Sequence, residues 1–146
     1  MFQAYPYVLS DAGNGAVMAQ FVDVPQALTQ GDDEQLAMHW AADALHVALT
    51  GFIEFNRDIP NPSKPKPSQH VAYLSPLVAM KLEVYQAMRD KGWTRVDLAE
   101  RMGVDEKQVR RLIDLDHQSK MNQVDAALRV LGKALVVDVR ELTGSR

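Results

Sequence analysis

The sequence predicts an α+β protein: an N-terminal antiparallel sheet carrying one long helix, then an all-α domain with a terminal strand. Three observations carry that reading. Residues 2–24 alternate in strand fashion around a turn-rich centre, and residues 33–56 then switch to a helical apolar period. Four of the seven prolines crowd into residues 59–68. Beyond Ser75 the chain breaks into short helix-forming segments, each with its own start and stop residues.

Taken in order, residues 2–9 are β-rich, with Tyr5, Tyr7 and Val8, and Asn14-Gly15 is a strong hairpin signal. Residues 16–24 supply a second strand that Pro25 stops, and residues 27–29 a brief third. Gly31, Asp32, Asp33 and Glu34 place a cap and acidic first-turn residues ahead of the long helix. Its apolar face is expected to comprise Leu36, Ala37, Trp40, Ala41, Ala44, Leu45, Ala48, Leu49, Phe52 and Phe55. Neither hairpin nor helix buries its apolar side alone, so the two should pack as layers. The proline-rich segment 59–68 cannot be helical and reads as an extended loop returning the chain to a last strand over 69–74. Ser75-Pro76 is a cap followed by proline at the first helical position, so a domain boundary falls there, dividing 1–75 from 76–146.

Residues 92–115 read as two short helices about a tight turn. Thr94 caps the first, with Asp97 three residues on; Asp105 caps the second, with Gln108 at the same offset. Gly103 supplies the left-handed residue between them. Val96, Leu98, Ala99 and Met102 form one apolar side, and Val109, Leu112 and Ile113 the other. Glu106, Lys107, Gln108, Arg110 and Arg111 are left facing outward, as a major-groove reader requires. After Gly132 the segment 135–142 turns β-like. A lone strand needs a partner, and a two-fold copy is the simplest, so Leu135, Val136, Val137 and Val139 are expected at a dimer contact.

Composition is that of an ordinary globular chain, 47% apolar and 24% charged over 146 residues. Without cysteine there is no disulfide framework and no thiolate chemistry, which suits a reducing cytoplasm. No run of some 18 apolar residues is evident and the N-terminus lacks a basic stretch, so neither a membrane span nor a signal peptide is expected. The net charge of −3 conceals an asymmetry. Residues 1–77 hold three basic side chains against eight acidic ones, whereas 78–146 are mildly basic. An acidic half repels DNA but suits a basic protein, such as one that itself binds RNA.

The stretch TRVDLAERMGVDEKQVRRLID resembles the helix-turn-helix of phage-repressor-like (XRE-type) regulators. MNQVDAALRVLGKAL resembles the last helix of the same five-helix domain, with Ala126, Ala127, Leu128 and Leu131 as its packed side. Joined to FVDVPQALTQGDDEQLAMHWAADAL and the proline loop, the whole pattern resembles the HicB antitoxins of bacterial type II toxin–antitoxin systems. That resemblance implies a partial ribonuclease-H-like ββαβ-type first domain without nuclease activity. It would cover the active site of a HicA toxin, a small basic mRNA interferase. The second domain would bind operator double-stranded DNA and repress its own operon. Some family members carry a ribbon-helix-helix module there; this chain matches the helix-turn-helix branch.

A ribonuclease-H-like nuclease needs carboxylates converging on Mg²⁺. Asp11 falls in a turn, Asp23 at a strand end, and Asp32, Asp33 and Glu34 at a helix start, so no catalytic residue, metal site or cofactor is expected. His39, Asp43 and His46 share a helix face at a spacing that permits a metal or an oriented base. With Thr50 and Glu54 they also make an ordinary solvent face, which is the reading adopted; Trp40 and Phe52 are assigned to the core. In the second domain Arg95 and the Gln118-Ser119-Lys120 loop are placed to touch phosphates, Lys107, Gln108 and Arg111 to read base edges, and Thr94 is counted with them at the DNA. Arg110 serves either role, and Glu106 accepts from cytosine or supports the helix start. A weakly basic monomer binds poorly, so a dimer or tetramer is expected on DNA. Two alternatives stand beside the antitoxin: a one-component regulator whose first domain senses a small ligand, and a tethered nuclease, which the scattered carboxylates disfavour.

Overall fold

Asn14 and Gly15 adopt positive φ angles of 53° and 80°, and the chain reverses there between β1 (Ala4–Gly13) and β2 (Ala16–Phe21). The structure is a computed structural model that describes residues 1–142. β1 and β2 are antiparallel, Tyr7 opposite Phe21, with an irregularity between Asp11 and Gly13. β3 (Leu28–Gly31) adds to β2, and β4 (His70–Tyr73) adds to the other side of β1, giving the order β3-β2-β1-β4. The brief third strand is thus a full sheet member, and the first half reads βββαβ rather than ββαβ.

The Asp33 carboxylate accepts a hydrogen bond from the Leu36 N–H at 2.8 Å and so caps α1 (Glu34–Glu54). Ala37, Ala41, Leu45 and Leu49, at i, i+4 spacing, enter the core shared with Tyr5, Tyr7, Ala19 and Phe21. A Cβ built on Gly31 would lie 2.4 Å from the Ala37 nitrogen, so helix and sheet touch backbone to backbone there. Such close approach leaves no space for an indole, which corrects the expectation for Trp40. It is 44% exposed on the flank of the buried stripe, its ring edge-on to His39. Phe55, just beyond the last helical turn, is also exposed, whereas Phe52 packs partly against the core. By length and composition α1 is long and apolar enough to cross a bilayer, although it holds no unbroken apolar run; here it packs along the sheet.

The proline segment is strapped down. The Tyr5 hydroxyl donates to the Pro60 carbonyl, Ile59 N–H donates to Gln86 Oε1, and both Ser63 N–H and its hydroxyl donate to Asp23. Burial accordingly raises the Tyr5 phenol well above its ordinary range. Gln86 belongs to α2 (Pro76–Lys91), capped by Ser75, whose hydroxyl accepts from Val78 N–H. α3 (Arg95–Met102), α4 (Glu106–Leu112) and α5 (Met121–Val130) follow. The second half therefore shows four helices among the described residues, not five: at Gly132 (φ 81°) the chain leaves the helix and does not re-enter one by residue 142. Nor do residues 135–142 form a strand in the single chain, since a strand's hydrogen bonds need a neighbour. Val136 and Val139 stand 80% and 90% exposed. Residues 143–146, assigned to the end of the second domain, lie outside the described residues. One buried cluster runs from Tyr5, Phe21 and Leu45 through Ile59 and Val84 to Leu98, Val109 and Val124, so both halves share a core.

Candidate nucleic-acid interface

The α3–turn–α4 unit is locally specified. Thr94 Oγ1 accepts from Asp97 N–H at 3.1 Å, and Asp97 Oδ2 accepts from Thr94 N–H at 2.8 Å, a closed capping box. Accepting the Thr94 N–H, with the Thr94 hydroxyl beside it, holds the Asp97 carboxyl below its ordinary range. Gly103 (φ 69°) ends α3 in the left-handed conformation. Asp105 caps α4 through Lys107 N–H, but the Gln108 side chain returns no bond; only its backbone N–H reaches the Asp105 carbonyl. Leu98 and Ala99 are buried from α3, and Val109 and Leu112 from α4. Val96 was expected on the apolar side, but it lies two residues from Leu98, on the opposite side of the helix, and is exposed.

Lys107, Gln108, Arg110 and Arg111 are exposed along α4, as are Arg95 at the start of α3 and Gln118 and Lys120 in the loop beyond. Glu106 is not a free acceptor: its carboxylate takes Arg110 at 2.9 Å and Arg95 at 3.3 Å, tying α3 to α4. Such exposed pairs add little stability, but they fix side-chain direction. Lys107 and Arg111 carry no ion pair among the described residues. Ser119 is corrected outright. It is buried, and its hydroxyl is held by Lys81 and the Arg111 carbonyl, so it is not available to a phosphate.

Lys81 is the residue that sequence reasoning missed. It is 0% exposed, and its Nζ donates to the Arg111 carbonyl at 2.6 Å and to Ser119 Oγ at 2.7 Å. The signal was present: in KLEVYQAM the lysine sits four residues after Leu77 and three before Val84, on the stripe that should be apolar. Its ammonium meets the C-terminal end of α4, where unsatisfied carbonyls favour a cation. Burial lowers its pKa to about 8, with Asp114 opposing. Because the folded value lies below the unfolded 10.5, the unfolded chain binds the extra proton between those pH values and stability rises with pH. At about 1.4 kcal/mol per pH unit, the cost relieved is at most ~3 kcal/mol. Urea titrations of the wild type and Lys81→Met should therefore show the wild type gaining stability relative to the variant from pH 7.5 to 9.5; parallel curves would contradict it.

The helix-face triplet does not converge. His46 Nε2 donates to Asp116 beyond α4 at 2.8 Å, His39 rests against Trp40, and Asp43 is exposed. Asp11 accepts from Gly13 N–H and lines a shallow surface pocket with Glu34, while Asp23 is held by Ser63, so no three acids converge among the described residues. A cleft of about 910 Å³ opens between the end of α1 and α2–α4, lined by Glu54, Arg89, Trp93, Arg95, Arg110 and Asp116. Its arginines are already compensated, Arg89 by Asp58 and the others by Glu106. On the sheet, residues alternating away from α1 leave Val8, Leu28 and Tyr73 exposed.

Residues 4–83, from β1 into α2, match the family described as HicB_like antitoxin of bacterial toxin-antitoxin system. Similar curated proteins are Antitoxin HicB of Escherichia coli (strain K12), 37% identical over 131 residues, covering 90% of this chain and 95% of that protein. Antitoxin HicB 1 of Photorhabdus laumondii is 36% identical over 135 residues, covering 92% and 86%. Antitoxin HicB of Pseudomonas fluorescens is 32% identical over 126 residues, covering 86% of each. The chain belongs to the HicB-like antitoxin family. For a HicB-like antitoxin the family match falls on the acidic sheet half, with α3 and α4 beyond it. The longer similarity to the E. coli protein spans all but about a tenth of the chain, and so takes in α3 and α4 as well.

Proposed function

We propose that this antitoxin neutralises a basic HicA-type mRNA interferase by covering its active site with residues 1–75. We further assign residues 76–146 to autorepression of the operon through operator DNA. The observation that carries the reading is the pairing, in one chain, of an acidic sheet domain of the antitoxin family with a capped two-helix unit whose outward side chains are Lys107, Gln108 and Arg111. The acids and the exposed Val8, Leu28 and Tyr73 give a basic partner both charge and apolar area to meet. On DNA, α4 enters the major groove, Lys107, Gln108 and Arg111 read base edges, and Thr94, Arg95, Gln118 and Lys120 approach phosphates, with Arg110 beside them. The segment from Leu135, in which Val136, Val137 and Val139 are exposed while Leu135 itself packs partly against the core, pairs with its two-fold copy, so that two half-sites are bound at once. The assay is growth of cells expressing the short reading frame beside this gene. That frame alone should arrest growth and co-expression of this chain should restore it. A harmless neighbour, or no rescue, would sink the reading.

A further inference from the structure

α4 and the loop that follows it meet through a long 3.3 Å bond from Ser119 Oγ to the Arg111 carbonyl, and a side chain from neither grips both more closely. Lys81 reaches from α2 with two of its three N–H donors committed, one to the last turn of α4 at the Arg111 carbonyl and one to Ser119 in the loop. Ser119 in turn bonds His117 Nδ1 at 3.0 Å, so the bend between Arg111 and Lys120 closes around one ammonium. Among the described residues no carboxylate pairs with that ammonium directly; Asp114 acts on it at longer range. Holding an ammonium without a direct counter-ion in a core is costly, and a methionine would fill the same volume without that penalty. The cost is matched by geometry that an apolar side chain cannot provide: a simultaneous grip on a helix end and on the adjoining loop.

We propose that Lys81 is the positioning residue of the DNA-reading unit, clamping α4 to the 118–120 loop so that base-reading and phosphate-contacting side chains move as one piece. The inference rests on the operator-binding reading and deepens it. Lys107, Gln108 and Arg111 project from the clamped helix, and Gln118 and Lys120 flank the clamped serine. A groove-reading element needs its donors held close to the productive geometry, which exposed loops rarely manage alone. The titratable groups near Nζ are Asp114 and His117, both from the segment between α4 and α5. α5 turns Val124, Ala127 and Leu128 inward, while its Asp125 and Arg129 pair with each other at the surface.

The test uses the full chain and a duplex taken from immediately upstream of its own operon. Lys81→Met should bind that duplex about tenfold more weakly, the loss of roughly one charge-assisted hydrogen bond, while still rescuing growth from the neighbouring gene. Wild-type binding should weaken as pH rises through 8, and the variant's profile should stay flat over the same range. Ser119→Ala, which removes one arm of the clamp and leaves the lysine, should weaken duplex binding several-fold with rescue intact; it decides the matter if Lys81→Met does not fold. Unchanged binding in a folded variant, overlapping pH profiles, or parallel loss of rescue and DNA binding in Ser119→Ala would each overturn the clamp. A wild type that ignores the duplex would instead remove the operator reading, and the clamp with it.

Discussion

Gly31→Ala should destabilise the protein by ~3 kcal/mol or more, as overpacking against backbone does. The added methyl would lie 2.4 Å from the Ala37 nitrogen, 2.8 Å from the Leu36 carbonyl carbon and 3.0 Å from the Ala37 Cα. These are backbone atoms of the first turns of α1, so no side chain can swing aside. The strain must move the helix off β3, along the edge where the sheet half is held together. Gly51→Ala is the matched control. It lies in the same helix with open space around its Cβ position, and it should stabilise by up to ~1 kcal/mol from helix propensity alone. Urea denaturation followed by circular dichroism checks both. Equal midpoints for Gly31→Ala and the wild type would show that α1 does not approach β3 as described. Because the expected loss centres on residues 1–75, rescue of growth should fail in Gly31→Ala before any defect in Gly51→Ala.

Combined substitution of Lys107, Gln108 and Arg111 by alanine should abolish specific operator binding. Each well-placed base contact is worth about 1–3 kcal/mol, so the triple variant should lose on the order of a thousandfold or more. All three side chains are exposed, so thermal stability should shift by no more than ~0.5 kcal/mol and neutralisation should persist. Gln108→Ala alone should relax sequence discrimination, whereas Lys120→Ala, at a phosphate-contacting position, should weaken binding across sequences and flatten its salt dependence. Titration of the operator duplex against a scrambled duplex at two salt concentrations separates these effects. A triple variant that still discriminates would move the reading surface away from α4.

Local chemistry was legible in the sequence. The hairpin at Asn14-Gly15, a capped acidic helix start within residues 31–34, the Ser75 cap, the Thr94–Asp97 box and the turn at Gly103 each depend on residues within four positions of one another, and all appear in the structure. The choice of helix face was less legible. Trp40, Val96 and Ala126 were assigned to the core and are exposed; on α5 it is Val124 that joins Ala127 and Leu128 inside. Such errors arise because an apolar period fixes a stripe only to within a residue or so, while small alanines let a helix settle closely and turn larger neighbours outward. Ser119 and Lys81 were misread or missed for a related reason. They meet across 38 residues, and a polar loop serine gives no sign that a lysine from another helix will bury it. The strand proposed for 135–142 depends on a second chain, so a single chain has no means of forming it.

Neutralisation by this chain is tested most directly by purifying the product of a short reading frame adjoining its gene and mixing it with RNA, with and without an equimolar amount of this protein. The neighbour alone should cleave RNA and the full chain should stop cleavage, with the Lys107, Gln108 and Arg111 triple variant stopping it equally well. Cleavage that continues in the presence of the wild-type chain would contradict neutralisation outright.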